Sequence, residues 1–284
     1  MTSEIIALVF LGLLSFFLLL QGWFRGFFHL EDKEWKLPIQ IYHVITPFAL
    51  YISISFITAR LALGPFRQKI IVSYLAYASW INALISFCIF MTLWIYWRCL
   101  NPTLRWGILL RPNQNFSFKK DLTQAFYAWI LSFPLVLWIS HLLEQILFKI
   151  YNISELPDQI AVQFLKSTFD HPLYFVLAIL SIVLFAPLIE ETLFRGFLQS
   201  YIRQYLGPKQ AILITSVCFA LFHYASNQGL GNVSIIPSLF ILSLFIGLLY
   251  EKQGSLVSSM TLHSLFNAIS VINLYLFGGK PFSI

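Results

Sequence analysis

The chain has 284 residues, of which 58% are hydrophobic, 18% aromatic and 11% charged, and its mean hydropathy is +0.77. This composition excludes an ordinary water-soluble domain, because so much apolar surface prefers lipid to water as its solvent. The formal net charge of +6 does not indicate a nucleic-acid partner, since the basic residues are scattered between apolar runs. The sequence therefore predicts an all-α, polytopic integral membrane protein.

Apolar runs of roughly the length that crosses a bilayer recur along the whole chain. In chain order they cover residues 5–23, 39–59, 72–97, 126–148, 173 onward, 211–224, 233–250 and 256–277. We therefore predict about eight transmembrane helices. The fifth run continues through two glutamates as far as Gly207-Pro208, where this pair of helix breakers predicts a hairpin turn.

The basic residues orient the predicted helices. With the N-terminus outside, most of the eighteen Lys and Arg residues fall in inner loops, and the longest inner loop spans 98–120. We expect this loop either to lie along the anionic inner surface or to be a solvated connector. Tyr250, Glu251 and Lys252 are predicted to anchor a helix end at the interface. We divide the chain into 1–171, with four transmembrane helices and the basic inner loop, and 172–284, with four more.

Three ionisable residues interrupt the fifth apolar run, namely Glu190, Glu191 and Arg195. A charged side chain at the centre of a bilayer costs about 2.5–3.5 kcal/mol on insertion scales, so such groups need partners and usually mark a site. Glu191 and Arg195 are four residues apart with the acid first, which favours a structural ion pair along one helix face. Glu190 is then the carboxylate left for chemistry. Pro187, which lacks a backbone N–H, can kink the helix beside it.

More polar residues lie at matching depths on the helices that follow. At about 1.5 Å per residue, Glu190 and His223 lie roughly 25 and 23 Å from the first hairpin turn, on opposite arms. His263 and Asn267, one helical turn apart, lie roughly 14–20 Å from a second turn on the same side. We predict that these four groups converge on one buried cavity between the C-terminal four helices, where Phe219 packs as core or as cavity wall.

A carboxylate and two imidazoles in such a cavity can activate water. Glu190 can take a proton from water with the help of His223. His263 and Asn267 can donate hydrogen bonds to the oxyanion of a tetrahedral intermediate, so amide hydrolysis is feasible. Glu190, His223 and His263 could instead hold Zn²⁺ with an open fourth position, although no H-E-x-x-H motif is present. Zinc therefore stays an open alternative, and no other cofactor is indicated.

Three short motifs occur in order on successive predicted helices. They are Glu190-Glu191-x-x-x-Arg195, Phe219-x-x-x-His223 and His263-x-x-x-Asn267. Together they resemble the signatures of the CPBP intramembrane endopeptidases, which include type II CAAX prenyl proteases and the Abi, or bacteriocin-processing, proteins. The resemblance implies that Glu190 and His223 activate water and that His263 and Asn267 form the oxyanion site, in a protease that is either glutamic or zinc-dependent.

The resemblance also implies a substrate, either a prenylated CAAX-like tail or a small hydrophobic peptide, cleaved near the inner membrane face. We expect a multi-pass protein of a bacterial cytoplasmic membrane, with the lipid bilayer and the peptide as partners and no nucleic acid. The residues alone leave two other classes open. One is an ion- or proton-coupled transporter in which Glu190 and the histidines form a path, and the other is a non-catalytic membrane chaperone or scaffold.

Overall fold

The computed structural model describes residues 2–30, 37–63, 74–111, 116–156 and 158–278. Of these residues 86% are helical and none forms a β-strand, so the all-α prediction is confirmed. Parts of three predicted features lie outside the described residues. They are the connection 31–36, in which Lys33 and Lys36 were assigned to the inner side, residues 72–73 of the third predicted span, and residues 112–115 of the basic loop.

Within the described ranges, eleven α-helices follow one another along the chain. They are α1 (Thr2–Phe24), α2 (Ile41–Leu63), α3 (Tyr74–Cys99), α4 (Pro102–Leu109), α5 (Phe118–Tyr151), α6 (Ile160–Ser167), α7 (Pro172–Ile179), α8 (Ala186–Glu191), α9 (Ser200–Phe222), α10 (Gly231–Gln253) and α11 (Leu256–Phe277). Two π-helical segments, Leu180–Phe185 and Thr192–Gln199, lie on either side of α8. A 3₁₀ turn, Ser226–Gln228, follows α9.

Seven helical stretches in the described part of the chain are long and apolar enough to cross a membrane, as expected of an integral multi-pass membrane protein. The fifth stretch, Pro172–Phe222, has 51 residues, far more than the roughly 20 that span a bilayer. It bends back at Gly207, whose φ of 80° and ψ of 176° are not helical. The hairpin predicted at Gly207-Pro208 is therefore present, and its two arms correspond to the fifth and sixth of the eight predicted spans.

A second tight turn joins α10 to α11. Gly254 adopts a left-handed conformation with φ of 61°, and its N–H donates to the Tyr250 carbonyl at 2.9 Å. Glycine suits this position because it has no Cβ to clash in the left-handed region. The chain therefore reverses after α10, and α11 starts at Leu256 on the same side of the molecule.

The core lies between α5, α10 and the helices on either side of them. α5 packs against α1, α10 and α11, so a helix from the N-terminal half covers two helices of the C-terminal half. The buried side chains at the centre of this interface are Ala125, Ala128 and Leu131 of α5 and Leu242, Ile246 and Leu249 of α10. α10 is the most enclosed of the candidate spans, with half of its most apolar stretch buried. The two halves of the chain thus share one core.

The basic inner loop packs one of its faces against the rest of the protein. Leu104 and Ile108, one helical turn apart on α4, are fully buried. Beyond α4, the N–H of Arg111 donates to the Gly254 carbonyl at 2.7 Å, and its guanidinium lies 2.7 Å from a carboxylate oxygen of Glu251. The solvated-connector alternative is therefore wrong for this stretch, whereas Trp106 on the other face of α4 is exposed and the orientation along the inner surface stays a prediction. The apolar face of α4 packs into the core, and the buried carboxylate of Glu251 needs a cation, which Arg111 supplies.

Gly207 provides a first test of the hairpin. Its φ and ψ lie in a region that is essentially reserved for glycine. A Cβ would have space there, since its nearest neighbour would be the Gln210 side chain at 3.8 Å. Gly207→Ala is therefore expected to cost about 1–3 kcal/mol of unfolding free energy through backbone strain alone.

The measurement is the unfolding midpoint in detergent, followed by circular dichroism. Lys209→Ala, at an exposed position just beyond the turn, is the control and should leave the midpoint within error. A Gly207→Ala protein as stable as this control would contradict the conformation assigned to the turn.

Candidate active site

The short helix α8 carries two consecutive carboxylates, Glu190 and Glu191, whose surroundings differ. The Glu191 side chain is fully buried, whereas that of Glu190 is 16% exposed. Neighbouring residues on a helix point about 100° apart, so the two side chains enter different spaces. Glu191 contacts Arg195 and His263, and Glu190 approaches His223 and His263.

Glu191 and Arg195 form a buried ion pair along one helix face. Nε of Arg195 lies 3.2 Å from Oε2 of Glu191, and Nη1 donates to Oε1 at 3.2 Å. Nη2 of Arg195 donates to Ser243 on α10, at 2.7 Å to its hydroxyl and 3.1 Å to its carbonyl. The guanidinium carbon lies 4.8 Å from the centre of the Phe219 ring, so Phe219 forms a wall of the site. The pair thereby fastens the hairpin to α10.

Glu191 also holds His263, a contact that the sequence patterns did not indicate. Nδ1 of His263 lies 2.8 Å from Oε1 of Glu191. Because an ionised carboxylate only accepts hydrogen bonds, we assign the Nδ1 hydrogen to His263. The opposite ring atom, Nε2, lies 3.9 Å from Oε2 of Glu190.

His223 stands at the end of α9, and the helix end determines how its ring is held. Its backbone N–H donates to the Ala220 carbonyl at 3.2 Å, which leaves the Phe219 carbonyl without its usual helical donor. Nδ1 of His223 lies 2.8 Å from that carbonyl and is assigned as the donor. In the neutral ring Nε2 is then an acceptor, 3.6 Å from Oε2 of Glu190.

Three polar atoms of the predicted site residues therefore approach one another. Oε2 of Glu190 is buried and has no hydrogen-bond partner among the described residues. It lies 3.6 Å from Nε2 of His223 and 3.9 Å from Nε2 of His263. These separations are too long for direct hydrogen bonds, but a water molecule about 2.8 Å from Oε2 of Glu190 can bridge it to Nε2 of His223. His223 is 29% exposed, which leaves a route for water to this point.

The same three residues offer the right ligand types for Zn²⁺, at distances from one another that are longer than in a closed zinc site. With bond lengths near 2.1 Å, the ligand atoms of a tetrahedral zinc site lie roughly 3.4 Å apart. The separations from Glu190 are 3.6 and 3.9 Å. Among the described residues, no group of three or more His, Cys, Asp or Glu side chains is arranged to hold a metal ion. Because the distances are longer than a closed zinc site needs, the mechanism proposed below uses water and the side chains of the chain.

Asn267 makes a contact of a different kind. Its Nδ2 donates to the carbonyl of Ile182, in the first π-helical segment, at 2.9 Å. The amide keeps a second hydrogen, so this bond does not test the prediction that Asn267 donates to an oxyanion beside His263.

An apolar groove of about 480 Å³ runs beside these residues, between the segment that leads to α8 and one face of α11. It is lined by Val183, Leu188, Val257, Met260, Thr261, Ser264, Leu265 and Ala268. None of the predicted site residues lines it. Ser264 and Ala268 nevertheless directly follow His263 and Asn267 in the chain, so the groove adjoins the site along α11.

Sequence reasoning missed a second buried polar cluster, the Glu251 network, in which Glu251 accepts from Arg111, Arg203 and Gln199. The nitrogen to oxygen distances are 2.7, 2.8 and 2.9 Å. Tyr250 is fully buried as well, so the prediction of an interface anchor is wrong for Tyr250 and Glu251. Residues 195, 199 and 203 lie four apart on one helix face, and this polar stripe was the signal that could have revealed the network.

Comparison with known proteins gives one match. Residues 172–269, about a third of the chain, match the family model described as type II CAAX prenyl endopeptidase Rce1-like. This segment contains all three motifs, and at the level of the family the match supports a membrane protease of the CAAX type. No curated protein and no solved structure matches the chain.

The two carboxylates of α8 are expected to differ in their effect on stability. Glu191→Gln removes the charge that compensates the fully buried Arg195, and breaking a buried pair in this way costs about 3–5 kcal/mol. Glu190→Gln should cost much less, since Oε2 of Glu190 makes no hydrogen bond in the described structure. The free energy of unfolding in detergent measures both effects. Equal losses of stability for the two variants would contradict the assignment of a structural role to Glu191 and a different role to Glu190.

Proposed function

Because residues 172–269 match the family model described as type II CAAX prenyl endopeptidase Rce1-like, we propose that the protein is an intramembrane endopeptidase. One observation carries the proposal, namely that Oε2 of Glu190 and the Nε2 atoms of His223 and His263 converge. Oε2 of Glu190 and Nε2 of His223 are two acceptors that face one another, and they need a hydrogen-bond donor between them. Water is such a donor, and it is the second substrate of peptide hydrolysis.

In the proposed first step Glu190 and His223 activate this water. Oε2 of Glu190 accepts one proton, while Nε2 of His223 accepts a hydrogen bond from the other hydrogen and orients the molecule. The water oxygen then attacks the carbonyl carbon of the scissile peptide bond, and the π electrons of the carbonyl move to its oxygen. The Phe219 carbonyl supports this step because it holds the His223 ring with its acceptor atom towards Glu190.

The oxyanion formed in this step is stabilised by His263. In its imidazolium form the ring donates from Nδ1 to Glu191 and from Nε2 into the space beside Glu190. Before the attack the two carboxylates balance the charges of Arg195 and His263. After it Glu190 is neutral and the oxyanion carries the second negative charge, so the cluster stays neutral overall. The second amide hydrogen of Asn267 is the further donor that the motif predicts.

Collapse of the tetrahedral intermediate completes the reaction. The C–N bond breaks, and the proton held by Glu190 passes to the leaving nitrogen. The products are a carboxylic acid and an amine, and the site returns to its starting state. Each of these steps uses residues of the chain and water, and none passes through a metal ion.

The proposed substrate is a hydrophobic peptide or a prenylated, CAAX-like tail that is presented from the membrane. The groove beside α11 supports this class, because its lining is apolar apart from two hydroxyl side chains. A hydrophobic segment in the groove would lie next to the helix that carries His263.

Purified protein in detergent, assayed with a quenched hydrophobic peptide, tests the proposal. Glu190→Gln and His223→Ala are expected to lower the cleavage rate by about 10²–10⁴-fold, the usual contribution of general acid–base catalysis. Glu144→Gln is the matched control, since this half-buried carboxylate pairs with His141 on α5, outside the site, and should keep wild-type turnover. Equal turnover in all four proteins would overturn the proposal.

Removal of metal tests the chemistry independently. Incubation with a chelator, followed by metal analysis by mass spectrometry, is expected to leave the cleavage rate unchanged. Loss of cleavage that zinc alone restores would contradict the metal-free mechanism. Proton flux in proteoliposomes that depends on Glu190, without any cleaved peptide, would instead favour a transporter.

A further inference from the structure

One backbone carbonyl before the glutamates lacks a donor within its own helix. In a π-helix each carbonyl accepts from the N–H five residues later, and the Ser181 carbonyl accepts in this way from Ala186. For Ile182 the corresponding residue is Pro187, which has no N–H. The α-helical alternative, Ala186, already donates to Ser181. The proline therefore leaves the Ile182 carbonyl without a donor from its own segment.

The side chain of Asn267 supplies the missing donor from another helix. Its Nδ2 donates to the Ile182 carbonyl at 2.9 Å. An unpaired carbonyl inside a membrane protein is costly, so a polar side chain that reaches it has a defined task. We propose that Asn267 is a positioning residue, whose amide replaces the backbone donor removed by Pro187 and thereby fixes α11 against the segment that carries Glu190.

This bond and a second one hold α11 in place. His263, one helical turn before Asn267, is bound to Glu191 at 2.8 Å. The two bonds attach α11 at points on either side of Glu190 in the sequence, at Ile182 and at Glu191. α11 also packs against α5 and α10, so these two bonds set its fine position and not its place in the fold. Loss of the Asn267 bond would let α11 shift beside the segment that carries Glu190 and would change the 3.9 Å separation of His263 Nε2 from Glu190.

A double-mutant cycle between Pro187→Ala and Asn267→Ala tests this inference, because the alanine at 187 restores a backbone N–H. Asn267→Ala alone is expected to lower the melting temperature measured by circular dichroism in detergent. In the Pro187→Ala background the same substitution should lower it by less than half as much. An equal drop in both backgrounds would overturn the inference. If Asn267→Ala does not fold, a folded double variant meets the expectation and a double variant that also fails overturns it.

The cleavage assay gives a second readout, which rests on the proposed function. Asn267→Ala should lower kcat with little change in KM. Adding Pro187→Ala to the same chain should raise kcat again, by about tenfold relative to the Asn267→Ala variant. An oxyanion role alone predicts the same fold-loss in both backgrounds. If no variant, including the wild type, cleaves peptide, the proposed function fails, and the melting temperatures still decide the role of Asn267.

Thr261→Val provides the matched control on α11. Thr261 lies on the same helix, but its hydroxyl donates within that helix, to the Val257 carbonyl at 2.8 Å. Its effect on the melting temperature should therefore be the same in the wild-type and Pro187→Ala backgrounds. A Thr261→Val effect that depends on Pro187 as strongly as that of Asn267→Ala would show general loosening of the helix and would overturn the inference.

Discussion

The carboxylate of Glu191 is the group on which the geometry of the site depends. It is fully buried and binds two partners at once, the guanidinium of Arg195 and the imidazole of His263. Through Arg195 it reaches Ser243 on α10, and through His263 it reaches α11. A buried charge that lost these partners would be strongly destabilising, so the three helical units must meet at this point. This arrangement places the preceding residue, Glu190, beside His223 and His263.

Much of this arrangement could be predicted from spacing alone. The two arms of a hairpin share a turn, so residues at equal distances from Gly207 lie at equal depth, and this places Glu190 near His223. The separation of four residues between Glu191 and Arg195 likewise predicts their pair, because such residues share a helix face. Long apolar runs predict helices because a backbone surrounded by lipid can form hydrogen bonds only with itself. These arguments need only local distances along a helix.

The remaining features of the site depend on backbone carbonyl groups and on contacts between distant parts of the chain, which spacing along a helix does not predict. The bond from Asn267 to Ile182 involves a backbone carbonyl, which every residue has, and its availability follows from the π-helical register before Pro187. The orientation of the His223 ring follows from the Phe219 carbonyl, which is free only because α9 ends there. Arg111 and Glu251 are 140 residues apart, so their pairing reflects how the whole chain packs.

The position of α5 has a consequence for how the chain is put together. The segment that matches the endopeptidase family begins at residue 172, yet α10 and α11 pack against α5, and Glu251 takes a cation from the stretch after α4. A fragment cut at residue 171 would expose the inner faces of both helices and would lose one of the counter-charges of Glu251. The matched region thus completes its packing against helices that are made earlier during biosynthesis.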